Sequence, residues 1–299
     1  MLGAKGALGR ELMLALRDRL ACSSRGKLFG YDLPELDICD GEAVRRALGN
    51  HEASVVINAA AYTDVDGCET NRELAEAVNG EAPGGVAAAC AEVGAKMVHF
   101  GTDFVFDGRG RRPYLPDDPA NPLSVYGQTK WAGEEAVRSA GGPSLVVRTS
   151  WLFGLHGRNF VEAILAKAEA GQPLSVVDDQ IGAPTLASDL AEAVVRLLDV
   201  RAEGTVHFTN GGPCSWYDFA CEIVSDAGLD VAISRTTSEK LARPARRPAY
   251  SVLDTGRYTE LTDHTPRSWR NALRRYIDAR LIPSQAASLD DGVTGSSER

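Results

Sequence analysis

Residues 3–12 read GAKGALGREL, a G-x-x-G-x-x-G triplet (Gly3, Gly6, Gly9) that runs straight into a helical pattern over 10–20. Glycines let a backbone turn tightly and come close to a pyrophosphate, whose charge sits against the helix N-terminus. Asp32 follows at the end of a predicted strand, 27–31, where an acid can accept from the hydroxyls of an adenosine ribose. The triplet alone is weak in a chain with 30 glycines, and Asp32 alone reads equally well as a solvated turn residue. The rhythm of the next hundred residues gives them meaning.

Short apolar runs at 27–31, 54–59, 96–100 and 144–148 read as buried strands, β-branched or aromatic and bounded by Gly, Asp or Asn. Between them 42–48, 72–93 and 125–139 carry helical spacing. Strands alternating with helices predict right-handed crossovers and an α/β, Rossmann-like, doubly wound parallel sheet. After Trp151 the pattern becomes mixed: helices over 159–170, 188–198 and 217–227, strands over 174–177 and 205–209. The Pro- and Arg-rich stretch 243–248 (RPARRP) cannot be regular helix throughout. The expected division is a dinucleotide-binding domain of 1–154 plus about 184–209, and a smaller α/β substrate cap of about 155–183 plus 210–282. Residues 283–299, small and polar, read as a disordered tail. Only Met1 and Leu2 precede Gly3, so the first strand is expected to be truncated and both its neighbours to carry unpaired edges. On that reading the working protein begins several residues upstream.

The 299 residues are 44% apolar and 24% charged, as in an ordinary globular chain. A formal charge of −9 argues against binding nucleic acid as the main activity, since that affinity comes mostly from neutralising phosphates. Cys22, Cys39, Cys68, Cys90, Cys214 and Cys221 form no C-x-x-C pair, and the five histidines show no metal-ligand spacing. No stretch reads as a signal peptide or an apolar membrane span, so the expected location is the cytoplasm.

Residues 122–130 read PLSVYGQTK, placing Tyr126 and Lys130 on one face of a predicted helix. A cation beside a phenol favours its anion, which would bring the Tyr126 pKa down toward working pH. Tyr126 is then a candidate general acid toward a carbonyl oxygen, and Lys130 its tuner and a ribose ligand. Thr102, just past the run 96–100, lies at the sheet's C-terminal edge, where its hydroxyl can donate to the same oxygen; alone it could equally cap a turn. Together Thr102, Tyr126 and Lys130 indicate hydride transfer with protonation by tyrosine.

These residues resemble the extended short-chain dehydrogenase/reductase family, and within it the reductases of dTDP-linked 4-keto-6-deoxysugars. The resemblance covers about 1–281 and runs through GAKGALGREL, LDICD, VVINAAAYTDVDGCE, AVNGEAP, GTDFVFDG, NPLSVYGQTKWAGEE, RTSWLFG, VVDDQIGAPT and RPAYSVLD. It implies NADPH or NADH as cofactor and reduction of the C4 ketone of dTDP-4-dehydro-L-rhamnose to dTDP-L-rhamnose. It assigns catalysis to Thr102, Tyr126 and Lys130. Gly3, Gly6, Ala7, Leu8 and Gly9 would line the pyrophosphate, with Asp32 near the adenosine ribose and Asp37 and Ile38 near adenine. Ala59, Ala60, Ala61 and Tyr62 would lie along the cofactor, and Asp103, Phe104 and Trp151 would contact the deoxysugar. Asn58, Asn79 and Gln180 read better as loop braces, and Trp151 also reads as core.

Two departures stand out. Gly101 and Phe104 replace the Ser and Tyr of the family's S-T-D-Y, so one sugar hydrogen bond is in doubt. Glu11 matches one carboxylate of a magnesium site found in some relatives, but Ser188 stands where another acid is expected, so no metal is predicted. Of the basic cluster Arg243, Arg246 and Arg247, Arg247 is assigned to the substrate's diphosphate, with solvated arginines as the alternative. The partners implied are the small-molecule sugar nucleotide and a second copy in a homodimer, with no nucleic acid and no membrane. Two other readings stay open: another nucleotide-sugar 4-ketoreductase, and a non-catalytic regulator like the regulatory subunit of methionine adenosyltransferase, which shares this fold.

Overall fold

The apolar runs pair into a parallel sheet in the computed structural model, which describes residues 1–23 and 26–281; the tail expected over 283–299 lies outside the described residues. Strands β1 (Val55–Asn58), β2 (Lys96–Thr102) and β3 (Ser144–Thr149) lie side by side, and Gly204–His207 follows β3. All three pairings are parallel; Asn58 stands opposite His99, and Thr102 opposite Thr149. Beyond its first residue β2 is buried throughout, as a strand covered on both faces must be. Helix α1 (Ala7–Ser23) and the helix Ala187–Asp199 cover one face through Leu12, Leu16, Leu190 and Val194. On the other face α2 (Gly41–His51) and the helix Ala82–Glu92 pack through Val44, Leu48 and Val86. The doubly wound α/β architecture is therefore the one expected.

The first strand survives as one residue. Leu2 bridges Tyr31 on one side and Asn58 on the other, both in parallel. Its N–H donates to the Ile57 carbonyl at 2.9 Å, while its own carbonyl accepts from Ala59 at 3.0 Å and the Met1 carbonyl accepts from Tyr31 at 2.8 Å. The expectation of two wholly unpaired neighbours is corrected at this end of the sheet. The predicted strand 27–31 is corrected too: only Tyr31 bridges, because the paired stretch opposite it is so short. The chain thus runs from Leu2 outward to Tyr31 and then crosses back to β1 on Leu2's other side. That reversal is the switch point at which open α/β sheets bind ligands, and the glycine loop opens onto it.

A second core gathers Phe153, Leu165, Phe219, Trp269, Leu273 and Tyr276 beneath the parallel pair Leu174–Val177 and Ile233–Thr236. Its terminal helix, Trp269–Leu281, is absent from the sequence reading although Trp269, Leu273, Tyr276 and Ile277 have helical spacing. The single helix expected over 72–93 is instead broken, with π-type turns over Glu76–Glu81 between Arg72–Ala75 and Ala82–Glu92.

Candidate functional site

The glycine loop is fixed by close contacts. Gly3 has φ +74°, and a Cβ there would stand 2.5 Å from the Ala60 nitrogen; one on Gly9 would run into the Gly3 carbonyl. Gly6 faces outward, and α1 begins at Ala7 with no acid in its first turn, so its N-terminal dipole is open to an anion. Asp32 closes the loop from the far side, accepting from the Lys5 N–H at 2.8 Å. Leu8 is part of the core beneath the loop, as Ile38 is beneath α2, whereas Asp37 is exposed and accepts from the Cys39 N–H at 2.9 Å. A cradle that only glycine can build, facing a helix N-terminus and an acid, fits a dinucleotide.

Two asparagines hold the strand ends along this cradle. Asn58 Oδ1 accepts from the Ala60 N–H at 3.1 Å, while its Nδ2 is buried with no hydrogen-bond partner among the described residues. Asn79 grips Tyr62 at both backbone groups, each at 2.9 Å, from within the π-type turns. Such turns recur at functional sites, and here they contain the asparagine that holds Tyr62. Tyr62 and Tyr126 then share an apolar cluster with Cys68 and Val125.

The helix Val125–Ser139 starts at a proper cap. Ser124 Oγ accepts from the Gly127 N–H at 3.2 Å, and Glu69 Oε1 takes the Val125 N–H at 2.9 Å. Tyr126 and Lys130 therefore stand on successive turns. At the end of β2, Thr102 Oγ accepts from the Phe104 N–H at 3.2 Å and donates to Asp103 at 3.1 Å. Thr102 thus caps the turn that follows β2. The Phe104 ring lies edge-on to Tyr126, its centroid 5.5 Å away.

The electrostatics correct one expectation. Burial, reinforced by the nearby Asp103 charge, pushes the Tyr126 phenol up from its ordinary value, and Lys130 does not pull it down. Lys130 is itself buried; burial lowers its ammonium to about 8 against the support of Glu134. No described residue hydrogen-bonds that ammonium. Asp103 is pushed up to about 6 by burial, and its Oδ2 accepts from Ser251 at 2.5 Å, tying the end of β2 to the segment that carries Ser251.

On the sugar side, Trp151 is partly exposed, held at φ +48° and stacked on Trp216 with centroids 3.6 Å apart. A bulky residue in the left-handed region is strained, and the stack holds it there. Trp216 was missed, having no motif around it. Arg247, expected at the substrate's diphosphate, is paired within the protein: both of its terminal nitrogens reach Asp66 at 3.0 Å, and Arg243 joins the same carboxylate. Arg246 is exposed. Gln180 donates to Ser238 at 2.8 Å. Glu11 lies 3.8 Å from His156, and among the described residues no three His, Cys, Asp or Glu side chains converge as metal ligands would.

Comparison with known proteins matches residues 1–282 to the family model described as "RmlD substrate binding domain". The chain is 42% identical to the spore coat polysaccharide biosynthesis protein SpsK of Bacillus subtilis, over 93% of this chain and 96% of that one. It is 44% identical to a dTDP-4-dehydrorhamnose reductase of Streptomyces griseus, over 93% and 92%. Among solved structures, a dTDP-4-dehydrorhamnose reductase of Bacillus anthracis in complex with NADP superposes with a TM-score of 0.89 at 33% identity, covering 93% and 97%.

Proposed function

The chain belongs to the RmlD substrate binding domain family, and from that premise we propose that it reduces the C4 ketone of dTDP-4-dehydro-L-rhamnose to dTDP-L-rhamnose, with NADPH or NADH as reductant. The observation that carries this is the pair Tyr126 and Lys130 on successive turns of one helix, the Lys130 ammonium buried and hydrogen-bonded by no described residue, in a fold whose glycine loop opens onto the switch point.

The dinucleotide, when bound, supplies the hydride that C4 receives. Gly3, Gly6, Ala7, Leu8 and Gly9 hold its pyrophosphate, Asp32 its adenosine ribose, and Lys130 its nicotinamide ribose; Asp37, Ile38, Ala59, Ala60, Ala61 and Tyr62 flank it. Tyr126 gives its proton to the C4 oxygen. Because burial and Asp103 keep the phenol protonated, it is ready to act as the acid. The phenolate left behind is stabilised by the Lys130 ammonium and regains its proton from water. Thr102 orients the ketone, and Phe104 and Trp151 present ring faces to the deoxysugar. Asp103 positions Thr102 through Ser251. The work is cytoplasmic, on a free sugar nucleotide.

The test is oxidation of NADPH and of NADH by the purified full chain with dTDP-4-dehydro-L-rhamnose beside a panel of nucleotide 4-ketosugars. Turnover should be fastest with the rhamnose precursor. Faster turnover of another ketosugar would move the assignment to a sibling reductase, and no oxidation with any would leave a binding protein.

A further inference from the structure

The rim of the glycine loop carries an ion pair that the pyrophosphate cradle does not use. Lys5 Nζ donates to Glu35 Oε1 at 2.6 Å, across thirty residues of sequence. Two backbone anchors bring them together. The Ala4 N–H donates to the Tyr31 carbonyl at 3.0 Å and ties the loop to the chain just before Asp32. The Asp32 carbonyl then accepts from the Leu36 N–H at 3.1 Å, closing a turn that returns Glu35 to Lys5. Asp32 adjoins the pair with both carboxylate oxygens occupied: Oδ2 accepts from the Lys5 N–H at 2.8 Å, and Oδ1 from the Leu33 N–H at 2.9 Å. Arg10 completes the cluster, its Nε donating to the Lys5 carbonyl at 3.0 Å. The side chains of Lys5 and Glu35 are 56% and 52% exposed, and an ion pair so exposed adds little to stability. The fold does not need it.

The pair stands where the two nicotinamide dinucleotides differ. NADPH carries a phosphate on the 2′-hydroxyl of the adenosine ribose that NADH leaves free, and Asp32 is the acid assigned to that ribose. Two carboxylates, Asp32 and Glu35, and two cations, Lys5 and Arg10, meet there. The Lys5 ammonium is taken by Glu35, whose carboxyl it holds below the usual carboxylate range, and Arg10 turns its Nε to the loop backbone. We propose that Glu35 selects between the dinucleotides: by holding the Lys5 ammonium beside Asp32 it withholds the counter-charge that a 2′-phosphate needs, so the chain binds NADH more tightly than NADPH. This rests on the reading of the cradle as a dinucleotide site. Glu35 acts twice against the phosphate, through its own negative charge and through the cation it occupies. Replacing it by glutamine removes both effects and leaves the shape in place.

The experiment measures binding without any sugar. The purified full chain is titrated with NADH and with NADPH at low ionic strength, where exposed charges are least screened, and nucleotide fluorescence reports Kd. Wild type should hold NADH more tightly than NADPH. In Glu35→Gln the affinity for NADPH should rise roughly tenfold while that for NADH stays within about twofold. Adding Lys5→Met to that variant should remove most of the gain, because the released ammonium is its source. Salt at about 0.5 M should shrink the gain, which a change of shape alone would not show. A wild type that prefers NADPH, or an unchanged NADPH-to-NADH ratio in Glu35→Gln, overturns the proposal. So does a gain that survives Lys5→Met in full, which would assign the phosphate to Arg10. Binding of neither dinucleotide would overturn the cradle and the selector together. The expected ratios in a chain inactive on every ketosugar would end the reductase reading alone and uphold the selector.

Discussion

Two stretches of one helix treat charge in opposite ways. Tyr126 and Lys130, in its first turns, are buried or half-buried with few partners; the ammonium has no hydrogen bond from a described residue. Glu134 and Arg138, in its later turns, share a network with Arg148 in which the carboxylate takes four contacts. An unpaired buried charge is costly, so a fold that leaves one does so where a ligand will complete it, and a paired one marks scaffold. The contrast teaches where to look: in the first stretch burial shifts the titration of both groups, and in the second the charges are matched within the protein itself.

The sharpest way to break that contrast is Arg148→Met. It leaves Glu134 buried with only Arg138, and removing one partner of a buried pair costs about 3–5 kcal/mol. Urea unfolding should show that loss, and a change below about 1 kcal/mol would mean that the later turns are no scaffold. Tyr126→Phe probes the other stretch. Turnover should fall at least ~10²-fold, the usual effect of a lost general acid, while the unfolding midpoint stays in place. Near-normal turnover would remove Tyr126 from its role, and a matching loss of stability would erase the distinction between the two stretches.

How much of this was legible follows from the same physics. The sheet, the cradle and the Tyr126 helix could be read because they rest on local signals: apolar runs, glycines at fixed spacing, and an i, i+4 pair. The strand expected at 27–31 shrank to a bridge at Tyr31 because a strand needs a partner, and its partner is Leu2 alone. The break in 72–93 accompanies Asn79 reaching Tyr62, seventeen residues away in sequence, which no helical pattern announces. The direction of the Tyr126 shift was misjudged for a similar reason. Spacing reveals Lys130, but it shows neither the burial nor Asp103 of another segment. Glu134 could have been found, since it continues the Tyr126–Lys130 stripe by one more turn. Its partner Arg148, on a strand fourteen residues on, could not.

The smallest effect extends the contrast to Asp66 of the helix Val65–Thr70, which is paired with Arg243 and Arg247. Burial alone would raise that carboxyl, but hydrogen bonds from Arg247, the Ala245 N–H and Arg243 outweigh it and hold the pKa at about 2, below the ordinary 3.8. A carboxylate depressed on folding binds fewer protons than in the unfolded chain. Its contribution is therefore complete above about pH 4 and is lost as pH falls through about 2. With the group 23% exposed, the shift corresponds to about 2 kcal/mol at most. Asp66→Asn should thus lower stability by up to that amount at neutral pH, and the gap to wild type should close as the pH approaches 2. Denaturant unfolding at a series of pH values reads this directly. A gap that persists unchanged at pH 2 would show that the arginines respond to the shape of residue 66 rather than its charge, and the paired cluster would then not belong with Glu134 and Arg148.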